Sequence, residues 1–319
     1  MHTKASSTRH HRSIAVAVLV LSYSLVPSAF AQVPAPRVSG LLILRETYAR
    51  DAALTATVHR ARLQADGTLP QRLSYRLLVE YSASAGPRAA SVVSLRDAYA
   101  RWTRAAWSIQ FGQYKTPFAR EYVVPLTALE TAELATVVDS LAPKRDIGVM
   151  GEWTAPYASA SLGVFNGEGP NASANRDSSM LVVSRVTVRP IAPVSLGGSV
   201  ARYSPDSTRY GVEANLEWRG CTTRAELIGQ HKRGRTQDDQ GWYVLTTARL
   251  LPWLRAVGRV EDFQRPGIGQ NRRSSATTAG LDVELPGGRT RFFVNLISRR
   301  TGYPRVQRNS VIGQVQVRF

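Results

Sequence analysis

From Gln32 to the carboxyl-terminal Phe319, the sequence alternates apolar and polar residues in pieces of about ten, cut by clusters of Gly, Pro, Asn and Asp. Period two is the signature of extended strands with two different faces. Tyr210, Val212, Ala214, Leu216 and Trp218 share one face, opposite Arg209, Glu213, Asn215, Glu217 and Arg219. Trp107, Ile109 and Phe111 alternate with Ser108, Gln110 and Gly112, and Ile147, Val149 and Trp153 with Asp146, Gly148 and Glu152. The chain ends with Val311, Gly313, Val315, Val317 and Phe319 on one face and Gln314, Gln316 and Arg318 on the other. A soluble antiparallel sheet shows this pattern locally. Its recurrence along the whole chain points to a membrane β-barrel, where one face meets lipid and the other an enclosed lumen.

Candidate strands fall at 39–49, 53–65, 71–82, 92–103, 106–114, 145–154, 157–165, 179–189, 193–203, 209–219, 222–231, 241–251, 254–263, 275–285, 289–299 and 309–319. The expected fold is therefore all-β, a transmembrane antiparallel barrel of about 16 strands, and an even count puts both termini on one side of the membrane. Connections alternate in length. Tight ones are expected at 104–106, 155–156, 189–193, 219–220, 252–253 and 286–288, and longer polar ones at 166–178, 232–240 and 265–274. The outlier runs from 115 to 144, with a helix-compatible stretch at Glu130-Thr131-Ala132-Glu133-Leu134. A structureless tether of that length is unusual, so a functional loop is expected there.

Lys4, Arg9 and Arg12 precede an apolar run, Ile14 to Val26, that ends at Pro27 and Ala29-Phe30-Ala31. This reads as a cleaved secretory signal over residues 1–31, followed by a single barrel domain over 32–319. No later stretch is apolar for the 18 or more positions that a spanning helix needs. The lone Cys221 excludes an intrachain disulfide framework and a Cys-rich zinc module. No cofactor or metal is expected.

The formal charge is +18, or +15 once the three basic residues of the leader are gone, and only four of the 41 basic residues are lysines. Arg60, Arg62, Arg185, Arg189, Arg224, Arg255, Arg259, Arg291 and Arg299 lie in candidate strands. On the lipid face each would cost roughly 2–4 kcal/mol at the midplane, so they are expected to face a wet lumen. A barrel near sixteen strands leaves an aqueous channel. Guanidinium groups lining it would concentrate small anionic solutes and repel cations. The alternative for each arginine is an ion pair with an acid such as Glu226 or Glu261 on a neighbouring strand.

A barrel enzyme would need a nucleophile or activated water beside a positioned base. Only His59 and His231 remain after the leader, far apart in sequence, and Asp238-Asp239 reads as a solvated turn. Charge alone suggests nucleic acid, but export removes the chain from that partner. Trp102, Trp107, Trp153, Trp218, Trp242 and Trp253 fit interfacial girdles against outer-membrane lipid. A non-conducting structural or adhesive barrel is the other alternative to a channel.

Arg60-Ala61-Arg62-Leu63, Leu95-Arg96-Asp97-Ala98-Tyr99, Gly112-Gln113-Tyr114-Lys115-Thr116-Pro117-Phe118, Arg145-Asp146-Ile147-Gly148-Val149 and Gly163-Val164-Phe165-Asn166-Gly167-Glu168-Gly169-Pro170-Asn171 resemble the phosphate-selective porin O and P family of Gram-negative outer membranes. The resemblance covers most of the first half of the exported chain. It implies a homotrimeric sixteen-stranded porin of the outer membrane whose long loop folds inward to constrict the lumen. On that reading Lys115, Arg120, Lys144 and Arg145 stand nearest the narrow zone. Members named for phosphate carry lysine clusters in the pore, whereas this sequence has Lys115, Lys144 and Lys232 as its only lysines beyond the leader.

Overall fold

A computed structural model describes residues 34–319 apart from 51, 84–90, 173, 176–178, 204–205, 267–271 and 303–305, so the expected leader lies outside the described residues. The first eight strands are β1 (Arg37–Ala49), β2 (Ala52–Leu69), β3 (Leu73–Ser82), β4 (Val92–Arg104), β5 (Trp107–Lys115), β6 (Arg145–Thr154), β7 (Ala158–Phe165) and β8 (Leu181–Ile191). The second eight are β9 (Val194–Tyr203), β10 (Ser207–Trp218), β11 (Cys221–Lys232), β12 (Asp239–Leu251), β13 (Leu254–Arg265), β14 (Arg272–Glu284), β15 (Thr290–Thr301) and β16 (Val306–Arg318). Each pairs antiparallel with its sequence neighbours. β1 closes on β16 from Leu41 opposite Arg318 to Ala49 opposite Ser310. Closure leaves no sheet edge, the condition for a sheet to stand in hydrocarbon.

The alternation in the sequence sorts residues as expected. Val212, Leu216 and Trp218 on β10 are exposed on the outer wall, whereas Glu213 is buried inside. On β5, Trp107, Ile109 and Phe111 face out and Ser108 and Gln110 face in. Trp107, Trp218, Trp253, Tyr157 and Phe319 lie exposed at the end of the barrel with the short connections, and the Trp107 and Trp153 rings stand 6.5 Å apart. This is the aromatic girdle of a membrane barrel.

Strand limits differ from the pattern mainly at the ends. β2 continues to Leu69 and turns through a short 3-10 segment, Pro70–Arg72, while β14 and β16 begin three residues earlier than the alternation suggests. Ladder hydrogen bonds propagate past the point where polarity stops alternating.

Two local departures from regular pairing position the site. Ile43 pairs with Arg60 and Leu44 with Val58, leaving His59 as an extra residue in β2. Leu78 pairs with Asp97 and Val79 with Leu95, leaving Arg96 as an extra residue in β4. Such bulges re-aim side chains. Here Asp97 and Arg96 both point inward, which strict alternation forbids. On β5, Gly112 holds φ +120°, and a Cβ there would stand 2.2 Å from the Ala98 carbonyl oxygen, so only glycine fits this close approach.

Placing arginine on the outer wall tests the lipid-facing assignment. Val212→Arg, at the centre of β10, is expected to lower folding stability in bilayers by about 2–4 kcal/mol. Asn215→Arg, directed into the lumen, should change it by less than about 1 kcal/mol. Denaturant titration of the two variants reads the difference.

Candidate functional site

The long connection, residues 116–144, enters the barrel. It carries two short helices, α1 (Arg120–Val123) and α2 (Thr136–Leu141), and a 3-10 turn at Leu126–Ala128. The helix-compatible stretch 130–134 forms bends instead, because the wall takes up its polar groups. Arg45 donates to the Ala132 carbonyl at 2.6 Å, Asn295 Oδ1 accepts the Ala132 N–H at 2.8 Å, and Arg259 donates to the Glu133 carbonyl at 2.7 Å. These wall contacts replace the intrahelical bonds that a helix would have made.

Two forces hold the loop. The first is apolar: Phe118, Tyr122, Val137, Val138 and Leu141 pack with Phe165, Leu181, Val183, Ile228, Tyr243 and Leu245 in the main buried cluster. The lumen on the side of β7–β13 is thereby filled. The second is polar. Glu226 accepts the backbone N–H groups of Arg120 and Glu121 at 2.8 and 2.7 Å and the Tyr243 hydroxyl at 2.6 Å. Thr116 Oγ1 donates to the Pro143 carbonyl at 2.9 Å and fastens the two ends of the loop together.

All four acids of the loop are engaged by cations. Glu121 meets Arg259 at 3.5 Å, Glu130 pairs with Arg224, Glu133 lies 3.7 Å from Arg45 and 3.5 Å from Arg299, and Asp139 takes Lys144 at 2.9 Å. Arg291 donates to the Thr127 and Leu129 carbonyls and pairs with Asp282 at 2.7 Å, and Arg255 shares that carboxylate at 2.8 Å. Arg224, Arg259, Arg291 and Arg299 are thus placed as loop anchors, and Arg259 is fully buried. Arg185 pairs with Glu213, and Arg189 is exposed at the short-connection end of β8. Arg120 heads α1, with its backbone N–H on Glu226.

The opposite wall differs. Arg60, Arg62 and Arg96 converge on Glu80, with Arg60 at 3.3 Å and Arg96 at 3.4 Å, and Arg145 pairs with Asp97 at 2.7 Å. Four guanidinium groups therefore surround two carboxylates. Lys115 reaches from β5 to the loop and donates to the Tyr122 and Val124 carbonyls at 2.6 and 2.7 Å. Arg96 on this wall and Arg45, which holds the loop from β1, are not among the sequence candidates. Arg45 follows the alternation of β1 and could have been found by it, whereas Arg96 depends on a bulge that alternation hides.

Two cavities lie between the loop and this wall. One, of about 860 Å³, opens at the short-connection end beside Arg318 and Phe319, and the other, of about 610 Å³, opens at the long-loop end beside Arg60, Arg96 and Lys144. Arg62, Lys115, Leu126 and Arg145 line both, so the two cavities meet at these side chains.

The sequence pieces that carry the family resemblance have structural roles here. Asp146 accepts the N–H groups of Ile147 and Gly167 at 2.7 and 2.8 Å, and Gln113 Oε1 accepts the Asn171 N–H at 2.6 Å, which ties the 166–171 turn to β5 and β6. Gly167, at φ +87°, makes that turn possible. Asp239, expected in a solvated turn, is buried among Lys232 at 3.2 Å, Arg265 at 3.4 Å and Arg235 at 3.6 Å. The described residues hold no cluster of three or more metal-ligating side chains.

A closed sixteen-stranded barrel with a loop folded into an open lumen defines the porin class of outer-membrane channels. Residues 45–237 match the model of the phosphate-selective porin O and P family, and the chain belongs to that family. A search of curated protein sequences found no match. Among solved structures, the trimer form of OmpT from Vibrio cholerae is similar with a TM-score of 0.67 at 11% identity, over 90% of this chain and 100% of that one. An anion-selective porin from Comamonas acidovorans gives 0.64 at 11% identity over 89% and 99% of the two chains. The outer membrane channel DcaP of Acinetobacter baumannii gives 0.59 at 13% identity over 89% and 97%.

Loop docking should depend on pH. Burial, opposed by Arg259 and reinforced by the Glu226 carboxylate, pushes the Glu121 carboxyl up to about 8. Its contribution to docking is fully present below the ordinary carboxylate range and is lost as pH rises through about 8. Open-channel current noise in planar bilayers is expected to grow from about pH 5 to about pH 9, and Glu121→Gln should flatten the trend. Noise independent of pH in the parent channel would contradict the buried acid. Arg259 also pairs with the buried Glu261 at 3.0 Å, and Arg259→Met, which strands that carboxylate, should lower stability by about 3–5 kcal/mol, read from the unfolding midpoint.

Proposed function

We propose that this porin gives small anions passive passage across the outer membrane, through the space between the long loop and the β2–β6 wall. The observation that carries the reading is the excess of guanidinium groups at the meeting of the two cavities and on the adjoining wall of the long-loop one. Arg60, Arg62, Arg96 and Arg145 face only Glu80 and Asp97, and the loop acids are turned to other partners. A lumen wall with net positive charge, bounded by low-dielectric protein, enriches anions and excludes cations. Arg185, Arg189 and Arg255 extend that potential toward the short-connection mouth. Lys144 and Arg60 extend it toward the other mouth.

Short connections face the periplasm in this reading and the longer ones face outward, with residues 1–31 directing export. The functional unit is a homotrimer in outer-membrane lipid. The anion selectivity named for the Comamonas acidovorans porin and the trimer named for the OmpT form support these assignments. Phosphate falls within the class of anions admitted. No step requires a cofactor, and the channel carries solute without transforming it.

A salt gradient across single channels in planar bilayers tests the proposal. The reversal potential should lie on the anion side. Each charge removed in Arg60→Gln or Arg62→Gln is expected to lower the chloride-to-potassium permeability ratio roughly fivefold, from about 1 kcal/mol of Coulomb energy at ~4 Å in water. A reversal potential on the cation side in the parent channel would overturn the assignment.

A further inference from the structure

The side of the passage opposite the guanidinium groups is apolar. Between Glu121 and Glu130 the loop reads Tyr122-Val123-Val124-Pro125-Leu126-Thr127-Ala128-Leu129, without a charged residue. Val123, Pro125 and Leu126 line the cavity at the short-connection end, and Val124, Leu126 and Leu129 the one at the long-loop end. Pro125 and Ala128 are exposed although they sit inside a barrel, and Val123, Val124 and Leu126 are partly buried. This rim is held toward the cationic wall rather than buried in the apolar cluster. Lys115 bonds the Tyr122 and Val124 carbonyls on one flank, and Arg291 bonds the Thr127 and Leu129 carbonyls on the other. Glu226 and the Arg224–Glu130 pair fix the segment at its two ends.

A solute crossing the meeting point of the cavities therefore touches Arg62 on one side, with the buried Arg145 guanidinium directly behind the surface, and Leu126 on the other. Inorganic phosphate offers charge to the first surface, but its hydrated oxygens find no partner on the second. A carboxylate carrying an alkyl or aromatic group satisfies both: its oxygens match guanidinium, and its apolar part covers exposed Pro125 and the accessible part of Leu126. We infer that the preferred solutes of this channel are amphipathic organic monoanions, carboxylates with an apolar tail or ring, which pass with the carboxylate along Arg60, Arg62 and Arg96, in the field of the buried Arg145, and the apolar group along the Val123–Leu126 rim. The inference rests on the anion-passage reading and adds to it the chemistry of the anion.

Block of single-channel chloride current by acetate, butyrate, hexanoate and inorganic phosphate, each added alone, separates the possibilities. Apparent affinity should rise roughly twofold with each added methylene, half the effect of burying a methylene completely, and hexanoate should block more strongly than phosphate. Leu126→Asn should reduce the gain from acetate to hexanoate by at least roughly threefold. Pro125→Ser serves as the second rim variant if Leu126→Asn fails to fold. Affinity that does not change with chain length, or phosphate block stronger than hexanoate block, overturns the inference. The chloride-to-potassium permeability ratio, measured in the same bilayers, separately reports whether the channel passes anions. Failure of the chain-length series with anion selectivity intact defeats the rim alone.

Discussion

Everything in this protein depends on the ladder between β1 and β16. In hydrocarbon an unpaired backbone amide costs several kcal/mol, so a sheet with a free edge cannot stand there. Joining the first strand to the last at Leu41–Arg318 through Ala49–Ser310 removes both edges together. Once closure is imposed, side chains have only two destinations, lipid or lumen. The arginines must then take the lumen, and the volume enclosed by sixteen strands is too large for wall side chains to fill. The long loop enters because there is space for it.

The loop divides the charge of the lumen into two populations. Arg224, Arg259, Arg291 and Arg299 meet loop carboxylates or carbonyls and hold the loop in place. Arg60, Arg62, Arg96 and Arg145 stand across the passage around Glu80 and Asp97. The same residue type thus serves as anchor on one wall and as field source on the other. What decides between them is whether the loop packs against that wall. Apolar packing by Phe118, Val137 and Leu141 on the β7–β13 side makes that choice, and the polar contacts then complete it.

The barrel was legible from the sequence because lipid and water impose a strict alternation that few other environments require of a whole chain. Strand number, the tight connections, the girdle tryptophans and the place of the long loop all follow from it. The division of labour among the arginines was not legible. Alternation directs Arg259 and Arg62 alike to the lumen, and only three-dimensional neighbours distinguish a buried anchor from a passage-lining charge. Arg96 was hidden for a different reason, since its inward direction depends on a one-residue bulge in β4. The bends at 130–134 were equally hidden, because local helix propensity loses there to partners more than a hundred residues away in sequence, such as Asn295 and Arg259.

Those long separations set an order of assembly. The loop leaves β5, yet its apolar residues pack on β11 and β12 and its backbone is taken up by residues of β11, β13 and β15. Until the carboxyl-terminal half has been added, Phe118, Val137, Val138 and Leu141 have only the β7–β9 part of their apolar cluster to bury against. Seating the loop and completing the wall are therefore coupled, because the greasy segment gains its full cover only when the last strands of the cylinder stand beside it.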